Sequence, residues 1–98
     1  MRHIDEVHIQ YFGSVRAAAN GAEEQVSLAG GAGVLLLLRQ LSDAHGEALR
    51  GELFIGEALR DDLTVSVNGA IIQHAAADEL ILRPGDTVAL LPVFPGGG

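Results

Sequence analysis

Residues 63–73 read LTVSVNGAIIQ. Leu63, Val65 and Val67 alternate with Thr64 and Ser66, the period-two pattern of a strand with one buried face. Asn68-Gly69 comes next. Both central positions of a type I′ turn need positive φ, which these two residues adopt most easily. AIIQ (70–73) is then the returning strand of a hairpin. Beyond it, Arg83-Pro84-Gly85-Asp86 reads as a second turn, with Pro fixing one φ and Gly free to take φ > 0. TVALL (87–91) follows as the last strand.

Towards the N-terminus, VHIQYF (7–12) alternates Val7, Ile9 and Tyr11 against His8, Gln10 and Phe12, and Gly13 breaks it. SVRAAAN (14–20) reads as a turn or one helical turn. EEQVSL (23–28) reads as a strand able to pair antiparallel with the first, and 29–33 is a glycine-rich connection. In VLLLLRQLSDAH (34–45), Val34, Leu37, Leu38 and Leu41 fall at helical spacing, with Gly46 as a stop. Leu35 and Leu36 widen that apolar face, so they are covered by loops or face a partner. Residues 47–62 mix charge with Leu49, Leu53, Phe54, Ile55 and Leu59. Irregular structure or a short helix is expected there, with Phe54 or Leu53 tucked under the sheet. The order is β-β-α-β-β-β: an α+β fold, a mixed sheet of four to five strands covered by one main helix.

Composition narrows the function. The chain has 98 residues, 48% hydrophobic and 4% aromatic, enough for one small aliphatic core. With no Cys, disulfides, thiolate metal sites and cysteine nucleophiles are excluded. The formal net charge is −7, and the six basic residues are all Arg, scattered singly. Nucleic-acid binding needs clustered basic surface, so that class is rejected. An acidic surface suits a basic protein partner or simply aids solubility. The N-terminal MRHIDEVHIQ carries no apolar run of a secretory signal, and Val34 to Leu38 is too short to span a membrane. A cytoplasmic protein with no membrane partner is the expectation.

No enzymatic constellation emerges. His3, His8, His45 and His74 show no pair at helical metal-ligand spacing. Asp61-Asp62 and Asp78-Glu79 read as solvated turn charges, and no serine has a Gly-x-Ser-x-Gly context. GGAG (30–33) precedes a helix but lacks the Lys and Ser/Thr of a phosphate-binding loop. No bound cofactor and no metal are expected.

The last stretch, PVFPGGG (92–98), poses its own question. Glycine packs nothing and loses the most backbone entropy on ordering. Such an ending is either an inert tail or the working part of the molecule. The expected division is a folded domain over 1–91 and a flexible tail over 92–98.

Taken in order, VHIQYFGSVR, the 34–45 helix, VNGAIIQ, LRPGDTVALLPV and the terminal GGG resemble the ubiquitin-like sulfur-carrier family of the MoaD/ThiS type. In look the chain is nearest to the small subunit of molybdopterin synthase. The resemblance covers nearly the whole chain, and its most specific part is 84–98. It implies the β-grasp fold. It also implies a carrier that is not itself an enzyme, with Gly98, next to Gly97, as the reacting residue. A separate E1-like enzyme would use ATP to adenylate the Gly98 carboxylate. Sulfur would then replace AMP to give a thiocarboxylate, for delivery to a sulfur-accepting synthase subunit in cofactor biosynthesis of the molybdopterin kind. The alternative is a ubiquitin-like modifier, joined through its terminal glycine to lysines of target proteins. The tail departs from the family's habit: Phe94-Pro95 and three glycines follow Pro92-Val93, where one small residue and Gly-Gly are usual. Leu91, Val93, Phe94, Pro95 and Gly96 are the expected partner-binding residues. Pro95 holds Phe94 extended, and the seven residues from Pro92 reach roughly 23–25 Å.

Overall fold

The computed structural model describes residues 6–27, 33–77 and 79–92. Strands β1 (Glu6–Tyr11), β2 (Glu23–Ser27), β5 (Leu63–Val67), β6 (Ala70–Ile72) and β7 (Thr87–Pro92) form one sheet in the order β2-β1-β7-β5-β6. The central pair β1–β7 is parallel; β1–β2, β5–β7 and β5–β6 are antiparallel. This is the mixed sheet expected, with five strands. Helices α1 (Gly13–Ala19), α2 (Val34–His45) and α3 (Glu47–Leu53) cover one face. A short ribbon, β3 (Phe54–Ile55) against β4 (Ala58–Leu59), stands apart from the sheet.

The core is the meeting of α2 with the inner sheet face. Val34, Leu37, Leu38 and Leu41 of α2 lie buried against Val7, Ile9, Val65, Val88 and Leu90. Each such side chain contributes about 1.5–3 kcal/mol by leaving water. Ser42 is the one buried polar residue of the described core, and its hydroxyl donates to the Leu38 carbonyl at 3.0 Å. Leu35 packs partly against the core, whereas Leu36 remains 49% exposed.

Two local expectations are corrected and a third is resolved. Residues 13–19 form a helix of two turns, not a single turn, because Val15 and Ala19 reach the core on one side. Of the two possibilities for 47–62, the short helix forms over 47–53, where Leu49 and Leu53 are fully buried one turn apart. The returning strand of the hairpin stops at Ile72, and His74–Ala76 turns away as a 3-10 helix. The hairpin itself is as read: Asn68 has φ 52° and Gly69 φ 87°. Phe54 and Leu53 are both buried. In the turn at 83–86, Gly85 takes φ 89° and the Asp86 N–H donates to the Arg83 carbonyl at 3.1 Å.

Candidate functional site

The last strand occupies the middle of the sheet. β7 runs between a parallel neighbour, β1, and an antiparallel one, β5, and Pro92 is its last residue. Val88 and Leu90 are fully buried on the inner face. Ala89 and Leu91 point to the opposite face, where Leu91 is half-buried and registers with Thr64. Leu63 registers with Pro92.

Proline ends the parallel ladder there. The Phe12 N–H donates to the Leu90 carbonyl at 3.1 Å. The next rung would run from residue 92 back to the Phe12 carbonyl, and proline has no N–H to supply it. The Phe12 carbonyl instead accepts from Val15 N–H at 3.1 Å and Arg16 N–H at 3.2 Å, which starts α1. The same proline seats directly on Gly13. A Cβ built on Gly13 would lie 2.7 Å from Pro92 Cγ and 3.2 Å from Cδ, and Gly13 has φ +57°. The contact leaves no room for a Cβ, and the left-handed φ favours glycine. On the other flank, where β6 has turned away, His74 Nε2 takes over as donor to the Leu63 carbonyl at 2.6 Å. The tail root is thus fixed from both sides.

The outer sheet face beside this root is mixed. Gln10, Ala89, Ser66 and Ile71 lie in one row across four strands. Ile71 is 76% exposed, and Phe12, at the mouth of the root, is 43% exposed. His8 and Glu23 pair at 2.5 Å on the same face. Phe12 and Ile71 are exposed and Leu91 is half-buried here, set among Gln10, Ser66 and Thr64, while Ala89 is buried. Elsewhere, the exposed Arg60 holds Asp62 through bonds of 2.9 and 3.1 Å, and that hydrogen bonding keeps the Asp62 carboxyl below the usual range.

Of the residues expected to work, Leu91 is placed at the root. Val93, Phe94, Pro95, Gly96, Gly97 and Gly98 lie outside the described residues. Phe12, Gly13 and Pro92 were not anticipated as the seat of the tail. The only sequence sign was Phe12-Gly13 closing a strand, which does not show what Gly13 touches. Among the described residues no three His, Asp or Glu side chains gather as a metal site, and no helix is long and apolar enough to cross a membrane. A cavity of about 190 Å³ lies at Gly33, Leu35, Leu36 and Arg39, away from the root, and brings no nucleophile and base together.

The model of the ThiS family matches residues 9–97. Similar solved structures include small archaeal modifier protein 1 of Haloferax volcanii, at 25% identity and a TM-score of 0.80, covering 92% of this chain and 99% of that one. A Pyrococcus furiosus protein assigned as molybdopterin converting factor, subunit 1, has 29% identity and a TM-score of 0.74, with 92% and 99% covered. A chain of the Amycolatopsis orientalis BexX/CysO complex has 25% identity and a TM-score of 0.69, with 93% and 99% covered. Among curated proteins, none matches.

Proposed function

We propose that this chain, which belongs to the ThiS family of small ubiquitin-like carriers, works as a sulfur carrier through its C-terminal glycine. The observation that carries the reading is that the family match extends to residue 97, into the glycines that follow the central strand. The Gly98 carboxylate attacks the α-phosphorus of ATP on an E1-like enzyme, pyrophosphate leaves, and an acyl-adenylate forms. A sulfur donor then displaces AMP to leave a thiocarboxylate, which a synthase subunit consumes. Glycine suits each step, because it has no Cβ to shield its own carbonyl and passes a narrow channel in any φ/ψ. The chain brings the reacting end and a docking face, while ATP and the catalytic groups belong to the activating enzyme. Product of the molybdopterin type and a cytoplasmic setting are the finer parts of this reading, supported by the likeness to the Pyrococcus furiosus protein.

The second reading is a protein modifier, favoured by the likeness to an archaeal modifier protein. Both readings pass through the same activated glycine. Deleting Gly97 and Gly98 tests the shared step: adenylate formation with the activating enzyme should vanish while the fold persists. A truncated chain that is activated at the full rate contradicts the assignment.

A further inference from the structure

The chain contains two asparagines, Asn20 and Asn68, and glycine follows each. Asn-Gly is the dipeptide most open to spontaneous deamidation, because glycine leaves its backbone nitrogen unshielded and mobile. The glycine nitrogen attacks the asparagine side-chain carbonyl carbon. A new C–N bond closes a succinimide, the bond to the amide nitrogen breaks, and ammonia leaves with the proton given up by the glycine N–H. Water then opens the ring to aspartate or isoaspartate.

The fold treats the two copies of this dipeptide differently. Both asparagines are left-handed, with φ 61° at Asn20 and 52° at Asn68. Asn68 Oδ1 accepts from the Thr87 N–H at 2.9 Å, and its Nδ2 donates to Asp86 Oδ1 at 3.0 Å. Its own N–H donates to the Thr87 carbonyl at 2.7 Å. Asp86 is fixed in turn, since its Oδ2 accepts from the Arg83 N–H at 2.8 Å. Turning the Asn68 amide towards Gly69 breaks two bonds, one of them to a carboxylate, within a hairpin of the main sheet. Among the described residues, Asn68 alone of the two has side-chain hydrogen bonds. Asn20, exposed like Asn68, caps the C-terminal end of the seven-residue α1. Its backbone ties are long, at 3.2 Å to Ala17 and, for Gly21 N–H, 3.3 Å to Arg16. The end of a short surface helix opens at little cost.

We propose that Asn20 is a site of spontaneous deamidation, and that the Asp86–Thr87 clamp protects Asn68 from the same reaction. The product places a carboxylate at the C-terminal end of α1, three residues before Glu23 in the sequence, where the helix dipole disfavours negative charge. Isoaspartate also inserts a methylene into the backbone between α1, on which Pro92 sits, and β2. The domain acquires a slow, irreversible modification that does not depend on the chemistry of its tail.

The experiment incubates the purified chain at mildly alkaline pH and follows both asparagines by peptide mapping and mass spectrometry. In the folded protein Asn20 should convert at least ~10-fold faster than Asn68, the ratio expected when only one site must first lose a hydrogen bond to a charged acceptor. In denaturant the two rates should converge. Asp86→Ala, checked for folding by circular dichroism, should bring the Asn68 rate up towards that of Asn20. Equal rates in the folded protein overturn the proposal. So does a ratio that persists in denaturant, because the difference would then lie in the flanking sequence. If Asp86→Ala does not fold, the comparison of native and denatured wild-type chain decides by itself.

Discussion

Gly13 and Pro92 touch with no room for a side chain between them: a Cβ on Gly13 would stand 2.7 Å from Pro92 Cγ. The first residue of α1 and the last of β7 thus hold each other in place, directly before residues 93–98. Gly13→Ala meets two penalties, the left-handed φ of +57° and the clash. The φ alone costs about 1–2 kcal/mol, and a total of about 2–3 kcal/mol corresponds to a fall in Tm of roughly 10–20 °C for a domain of this size. Gly21→Ala, with open space around it, should change stability by less than about 1 kcal/mol. Thermal unfolding of the two variants checks the contrast, and equal melting temperatures would remove the contact from the account.

Leu91 and Leu90 separate docking from folding. Leu90 is fully buried on the inner face, whereas Leu91 is half-buried on the outer one. Leu91→Asp should weaken binding to the activating enzyme by at least ~10-fold, the scale of an interface anchor, with little loss of thermal stability. Leu90→Asp should prevent folding, since an unpaired charge would enter the core. A calorimetric titration with Leu91→Asp that shows unchanged affinity, alongside a large drop in Tm, would mean that Leu91 serves its own domain.

Much of this arrangement is legible in the sequence, and the rest fails for identifiable reasons. Strands β1 and β5 carry strict alternation, β7 is an apolar run after a Pro-Gly turn, α2 repeats its leucines at helical spacing, and Asn68-Gly69 names its turn type. Helices α1 and α3 are seven residues each and lack side-chain caps. Too short to be stable alone, they exist because Val15, Leu49 and Leu53 find a core to fill. The β3–β4 ribbon pairs only two residues on each side and offers no period to read. The glycine tail and its order after Pro92 are plain in the sequence. The seat of that tail on Gly13 is not, because Phe12, Gly13 and Pro92 meet only through the parallel pairing of β1 with β7.

Tyr11 gives a pH signature that a single group controls. Its hydroxyl donates to Glu24 Oε1, to which His45 Nε2 also bonds. Burial first, then the hydrogen bond to Glu24 and its charge, raise the phenol well above its ordinary value of 10.0. The folded chain therefore keeps a proton that the unfolded chain releases, so stability is complete below about pH 10 and falls as pH rises past it. Tyr11 is the only tyrosine, and the 98 residues include no lysine or cysteine. The alkaline slope should approach roughly 1.4 kcal/mol per pH unit, that of one proton. Urea unfolding from pH 8 to 11 measures it, and Tyr11→Phe should lower neutral stability by about 1–3 kcal/mol and flatten the slope. An equal slope in Tyr11→Phe would assign the proton elsewhere.

The missing lysine bears on the activated tail. An acyl-adenylate on Gly98 finds no ε-amine on any of these 98 residues. Incubated with activating enzyme and ATP, the chain should form no abundant covalent dimers resistant to reductant and hydroxylamine. Arg50 is exposed, and Arg50→Lys should permit such dimers. Denaturing electrophoresis reads the difference, and dimers already abundant in the wild-type chain would show another nucleophile at work.

The central claim, that Gly98 carries sulfur, is tested most directly by intact-mass spectrometry of the protein isolated from its native host. The account predicts a form heavier by the exchange of one oxygen for sulfur, located in the C-terminal peptide and lost when Gly97 and Gly98 are deleted. A C-terminal peptide found only as the plain carboxylate, under sulfur-replete and sulfur-starved growth alike, would contradict it. Ladders of conjugates to other proteins in place of the sulfur-bearing form would transfer the assignment to the modifier reading.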